Sequence, residues 1–267
     1  MDRHDFYEIC VQSAEDSVPL LEAVHGERPR RLGEDFAGTA AVARAWVQRV
    51  DDGSAIAVDR DAEALRRGEA LASAAGISGD VQFVTADVRE LPDDVAGSVD
   101  VVYVGNFSIC ELHLRTELVT YLRAARARLR PGGVFVCDLY GGVGCHEIGT
   151  AERTEPGPKG TSILYTWEQR EADPLTGRVV NALHFEHFAA DGETLAEFSN
   201  AFTYDWRLWS VPELRDALQD AGFSATEVHG RQPDAMDGEG NAFVRAFDDP
   251  DDLDEEYDVL VVGRTND

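Results

Sequence analysis

The 267-residue chain is predicted to fold as an α/β protein with a doubly wound, mostly parallel seven-stranded sheet and an antiparallel β insertion after the fifth strand. Three observations carry this. Up to Tyr140, short runs rich in Val, Ile and Ala alternate with segments of helical length, the pattern of parallel strands buried on both faces. After Tyr140 the alternation gives way to three long aromatic runs separated by tight turns. From Ser210 a helix signal returns, followed by two more strands.

In order, the first five strands are expected at Arg31–Phe36, Ser54–Asp59, Val81–Ala86, Val99–Asn106 and Val134–Leu139. Helices are expected at Ala40–Val50, Ala62–Ala75 and Arg115–Leu129, with a short helical piece near Val88–Leu91. Pro131-Gly-Gly133 should end the Arg115 helix and turn the chain into the fifth strand. The insertion, residues 141–209, reads as a meander of Ser162–Glu171, Arg178–Phe188 and Leu195–Trp209, with turns at Asp173–Gly177 and Ala190–Glu193. Ser210-Val-Pro-Glu213 is a capping box opening a helix to Ala221, which Gly222 ends. Phe223–His229 and Tyr257–Gly263 complete the seven strands. Residues 1–140 and 210–267 then form one domain, with Asp5–Gln12 as a helical cover.

Acidic residues number 51 against 24 Lys and Arg, a formal charge of −27. Such a field repels a phosphate backbone and argues against nucleic acid as partner. The run Asp248–Glu256 reads as a solvated loop. No apolar run reaches membrane-spanning length and no signal peptide is recognised, so a cytoplasmic protein is expected. The four cysteines show no metal-type spacing, and Cys110 and Cys137 sit in apolar runs as buried thiols. No metal is expected.

The candidate site begins in Arg31-Leu-Gly-Glu-Asp-Phe-Ala-Gly-Thr-Ala40. Ala37, Gly38 and Thr39 keep side chains small where a backbone must approach a ligand. Glu34 and Asp35 would repel a phosphate there and welcome an ammonium or hydroxyl groups. Asp59 ends the second strand, where a carboxylate accepts a pair of ribose hydroxyls or caps a helix. Asp87, in Thr85-Ala-Asp-Val88, offers an acceptor-only group suited to an exocyclic amine, or again a cap. After the fourth strand comes Gly105-Asn-Phe-Ser-Ile-Cys-Glu-Leu-His113.

These four landmarks, in this order, resemble the class I S-adenosylmethionine-dependent methyltransferases of small-molecule type, in a subgroup with an Asp-Phe-Ala-Gly-Thr loop. The family's usual loop is acid-x-Gly-x-Gly-x-Gly. Phe36 and Ala40 replace two glycines here, which implies an altered loop path. The resemblance implies S-adenosylmethionine as cofactor, with Glu34 near its ammonium and Phe36, Ala37, Gly38 and Thr39 around it. Asp59 would hold the ribose and Arg60 would flank the adenine face. Ala86, Asp87 and Val88 would hold the adenine edge. Asn106, Phe107 and Ser108 would surround the sulfonium, and Tyr7 would touch the methionine end. Glu111 and His113 are the nearest candidates for a catalytic base, His113 being equally suited to a cap.

A sulfonium methyl is already electrophilic, so alignment of a nucleophile supplies most of the rate and a base is optional. The acceptor is expected to be a small molecule with an N or O nucleophile. The insertion is expected to serve as substrate lid or homodimer interface. Tyr140, Trp167, Glu168, His184 and Arg207 are its candidate substrate contacts. A non-catalytic S-adenosylmethionine-binding or dimerising protein would share these features. An NAD-dependent oxidoreductase would share Asp59, but would need a Gly-x-Gly-x-x-Gly loop that this chain lacks.

Overall fold

The structure, a computed structural model, describes residues 1–91 and 98–266. Its strands are β1 (Arg31–Asp35), β2 (Ser54–Asp59), β3 (Val81–Thr85), β4 (Val99–Val104), β5 (Leu129–Gly142), β6 (Gly149–Pro156), β7 (Ser162–Asp173), β8 (Arg178–Phe188), β9 (Thr194–Arg207), β10 (Ala225–Gly230), β11 (Ala235–Met236), β12 (Ala242–Phe243) and β13 (Glu256–Arg264). The α-helices are α1 (Arg3–Cys10), α2 (Ala14–His25), α3 (Ala41–Arg49), α4 (Ala62–Ala74), α5 (Arg115–Arg128) and α6 (Val211–Ala221). None is long and apolar enough to cross a membrane, among the described residues.

The chain forms two compact units. The larger, Ala14–Gly142 with Trp209–Asp267, holds the predicted seven-stranded sheet in the order β10-β13-β5-β4-β1-β2-β3. Neighbours from β5 to β3 run parallel, and β13 runs antiparallel to both its partners. The direction of winding reverses between β1 and β4, so a crevice opens at their carboxyl ends, where ligands bind in open α/β sheets. The core follows from the strand composition: Leu32, Ala57, Val101, Val134 and Leu260 pack with Trp46 of α3 and Leu21 of α2. Asp61 starts α4 by accepting the N–H groups of Glu63 and Ala64, and Ser210 starts α6 through the predicted capping box. Cys110 and Cys137 are fully buried free thiols, as expected.

The smaller unit, Met1–Ser13 with Val143–Leu208, is a four-stranded antiparallel sheet in the order β6-β7-β8-β9. The predicted helix at the N-terminus, α1, belongs to this unit and not to the larger one. The reason is its apolar stripe: Phe6 meets Phe185 at 5.9 Å and Phe198 at 5.3 Å, and with Cys10 joins Ile163, Tyr165 and Leu183 in one buried cluster.

Four elements differ from expectation. Residues 88–91 form a turn instead of a helical piece. Pro131–Gly133 lies inside β5, whose pairing extends back to Leu129, where Val99 is its partner. The meander gains β6, whose Gly149–Pro156 sequence carries almost no apolar residue because it is a largely exposed edge strand. Helix α2 is hidden in the sequence by Pro19 in its interior, a residue that normally breaks helices.

Candidate active site

Four loops at the carboxyl ends of parallel strands line one cleft of about 400 Å³, its open mouth included: Phe36 after β1, Asp59 and Arg60 after β2, Ala86–Arg89 after β3, and Glu111 and Leu112 after β4. All belong to the larger unit.

The loop after β1 keeps a glycine-type path despite its substitutions. Phe36, Gly38 and Ala40 have φ of 53°, 53° and 56°, all left-handed. These are the three positions that the motif fills with glycine, and all three take the backbone conformation that favours glycine. The Ala37 N–H binds the Val58 carbonyl at 3.0 Å and the Ala40 N–H binds the Ala37 carbonyl at 2.7 Å, which tie the bend down. Left-handed Phe36 turns its ring into the cleft, edge-on to Tyr121 at 5.9 Å. Ala37 and Thr39 are buried and support the loop from behind.

The two acids of β1 are buried. Glu34 accepts the Ala43 N–H at 2.7 Å, supplying the cap that left-handed Ala40 does not give α3. Asp35 is bound by both guanidinium nitrogens of Arg128 and by the Tyr121 hydroxyl at 2.7 Å. Its carboxylate therefore serves an internal ion pair instead of meeting a ligand.

Asp59 has one oxygen on the Gly38 N–H at 2.7 Å and the other on the Asp61 N–H at 2.8 Å. Each oxygen keeps a lone pair for a further donor. Asp87 caps its own turn and is gripped by Arg89 through two N–H bonds at 2.9 and 2.6 Å, which hold its carboxyl below the usual range. Arg60 reaches across the mouth to Glu111 at 2.8 Å. Burial raises the Glu111 carboxyl, and Arg60 opposes the shift.

Asn106, Phe107 and Ser108 form the turn after β4, outside the residues lining the cleft. His113 follows that turn and is likewise absent from the lining, facing Glu111 only through charge. Arg89 and Leu112 line the cleft although sequence reasoning passed over them. Arg89 had a signal, lying two residues after the acid it grips, whereas Leu112 had none.

Tyr140 packs its ring against Phe107 at 4.9 Å in the larger unit. The remaining candidates lie in the smaller unit and do not form one set. Glu168 and His184 pair at 3.0 Å on one face of the sheet. Trp167 points from the opposite face, where it meets Trp206 at 5.7 Å. Strand alternation separates them. By register Arg207, opposite Arg178, shares the face of His184. Tyr7 packs on Phe202 at 4.9 Å within the same unit. Among the described residues no three His, Cys, Asp or Glu side chains gather to hold a metal.

Comparison with known proteins adds a second line. A family model described as a methyltransferase domain matches residues 36–133. No curated protein matches the sequence. Among solved structures, an S-adenosylmethionine-dependent methyltransferase from Clostridium acetobutylicum is similar, with TM-score 0.65 and 15% identity over 99% of this chain and 98% of that one. The sugar N-methyltransferase KedS8 from Streptoalloteichus gives TM-score 0.65 and 18% identity over 100% and 94%. CalS10, an amino pentose methyltransferase from Micromonospora echinaspora bound to S-adenosylmethionine, gives 0.62 and 15% over 100% and 92%. At these identities the likeness is one of fold.

Proposed function

We propose that this chain, which carries a methyltransferase domain over residues 36–133, transfers a methyl group from S-adenosylmethionine to an N or O nucleophile of a small molecule. The observation that carries the reading is the cleft itself. Asp59 and Asp87 stand at the ends of adjacent strands with acceptor capacity left, beside a loop with left-handed φ at Phe36, Gly38 and Ala40. A nucleoside fits these acceptors: the ribose hydroxyls donate to Asp59, the exocyclic amine donates to Asp87, and Phe36 and Leu112 wall the base. The bound cofactor supplies an activated methyl on a sulfonium.

The chain's own residues then bind, orient and exclude water. Arg60 and Glu111, bridged over the mouth, close the nucleoside end. We assign Asn106, Phe107 and Ser108, which lie outside the lining of the nucleoside cleft, to the sulfonium end. Catalysis rests on proximity, which well-aligned partners convert into most of the rate. Glu111 is tied to Arg60, so its role is closure of the cleft in preference to proton removal. The charge of −27 favours a neutral or cationic acceptor over a nucleic acid. Sugar and amino pentose methyltransferases share the fold, so amines on sugar rings are the first acceptors to screen.

Calorimetric titration with S-adenosylmethionine, S-adenosylhomocysteine and NAD in parallel tests the reading. Binding of the first two, with none of NAD, is expected. Binding of NAD alone would replace it with an oxidoreductase. Cofactor binding without methyl transfer to any amine or hydroxyl acceptor would reduce it to a binding protein.

A further inference from the structure

The turn after β4 is bent twice. Asn106 and Phe107, two consecutive side-chain-bearing residues, have φ of 56° and 61°. Residues in this region persist only where the surroundings hold them, and such strain gathers at functional sites. The chain enters the turn through Gly105, where a Cβ would lie 2.6 Å from the Tyr103 hydroxyl. It leaves through the 3-10 turn Ser108–Glu111, which delivers Glu111 and Leu112 to the cleft.

What holds the turn is Asp138 of β5, fully buried. One of its oxygens accepts the Asn106 N–H at 2.8 Å and the other accepts the Phe107 N–H at 2.6 Å. At this turn the two successive N–H groups converge on one carboxylate across a backbone that is left-handed at both residues. Arg231 completes the assembly. Its guanidinium lies 3.5 Å from Asp138, 3.0 Å from Asp258 and 5.4 Å from the centre of the Phe107 ring, which Tyr140 covers from another side. A carboxylate is the only side chain of this length that presents two acceptors and no donor.

We propose that Asp138 is a positioning residue for the cofactor site: by taking the N–H groups of Asn106 and Phe107 it holds the turn in the doubly left-handed form that aims Asn106 and Phe107 and seats Glu111 and Leu112 in the cleft. The proposal rests on the methyltransferase reading for what the cleft binds, and on geometry alone for the clamp.

The clamp needs an ionised carboxylate. The groups facing Asp138 are Arg231, Asp258, the Tyr103 hydroxyl and the Cys110 and Cys137 thiols. Burial pushes the Asp138 carboxyl up to about 6, against the pull of Arg231 and the two N–H groups. Burial also raises Tyr103 and both thiols, so they stay neutral below pH 8. A protonated Asp138 has one oxygen acting as donor and resembles asparagine.

The test compares wild type with Asp138→Asn, using S-adenosylhomocysteine as probe. Calorimetry at pH 7.5 and 5.5 is joined by hydrogen exchange of the peptide spanning 104–110. Asp138→Asn should speed exchange there and weaken binding roughly tenfold at pH 7.5, the scale of one lost charged hydrogen bond. The gap should narrow to about threefold at pH 5.5, where wild type is mostly protonated. The ratio cancels the titration of Glu111 and other cleft acids. Unchanged exchange would overturn the clamp. A gap of equal size at both pH values would overturn its positioning role. Failure of wild type to bind the probe would instead sink the methyltransferase reading, with the exchange result still deciding the clamp.

Discussion

Gly68, in the middle of α4, contacts no ligand in the proposed site yet sets the path of the cofactor loop. A Cβ placed there would lie 2.3 Å from the Thr39 carbonyl oxygen and 2.9 Å from its carbon. A carbon–oxygen contact normally settles at about 3.3 Å or more, so Gly68→Ala forces a shift of roughly 1 Å. The helix is anchored by the buried Ala64, Leu65 and Ala72, so much of the shift falls on Thr39. Thr39 stands between left-handed Gly38 and Ala40, and moving it pulls the Gly38 N–H from Asp59, now 2.7 Å away. Misplacement on the order of 1 Å costs up to about a hundredfold in a positioned site. We therefore expect S-adenosylhomocysteine affinity to fall between about ten- and a hundredfold. Stability should fall by up to about 2 kcal/mol, because alanine's helix preference of about 1 kcal/mol only partly offsets an overpacking cost of about 1–3 kcal/mol. Calorimetric titration and a thermal melt measure both. A variant that melts higher and binds the probe as wild type does would refute the reasoning, showing that the loop yields without consequence.

Other expectations can be checked alongside. Asp59→Asn keeps an acceptor for the Gly38 N–H and should lose about tenfold in affinity for S-adenosylhomocysteine, whereas Asp59→Ala leaves that N–H unpaired and should lose more; equal affinity of wild type, Asp59→Ala and Asp87→Ala would remove both acids from the site. Arg128→Met leaves Asp35 buried with only the Tyr121 hydroxyl, which should cost about 3–5 kcal/mol in urea unfolding, most of it recovered by adding Asp35→Asn; a loss below about 1 kcal/mol would mean water reaches the carboxylate. Asp138, raised from 3.8 to about 6, favours the folded state when protonated. Measured against Asp138→Asn, wild type should therefore gain about 1.4 kcal/mol per unit as pH falls from about 6 to about 4, that contribution being lost as pH rises through 6. A difference flat with pH would place its carboxyl at an ordinary value.

The sheet was legible because each buried strand is a contiguous apolar run, and Ser54–Asp59 sits where the sequence puts it, as does the capped helix Val211–Ala221. Edge and interrupted elements were not. β6 has no apolar face to betray it, and Pro19 masks α2. The same division holds in the site. Asp59, Asp87 and Phe36 were visible as residues at strand ends, and all line the cleft. Asp35 looked identical to Glu34 in sequence, yet its fate was set by Arg128, 93 positions away. Asp138 lay in a plain apolar strand, and nothing local announces the backbone it holds. Single-strand alternation did predict that Trp167 and Glu168 face apart, but not that His184 would side with Glu168.

Helix α1 is separated from its partners in the smaller unit, Val143–Leu208, by the whole of Ala14–Gly142. At about 5–20 residues per second, synthesis from Cys10 through Leu208 takes on the order of ten to forty seconds. Throughout that time Phe6 and Cys10 have no buried site. The larger unit is divided in the same way, since Ala14–Gly142 waits for Trp209–Asp267 and β13 fills the gap between β5 and β10. Neither unit can close before its last segment arrives. The slow step in refolding should therefore be the joining of distant segments, and truncation after residue 208 should leave the sheet of the larger unit open at β5.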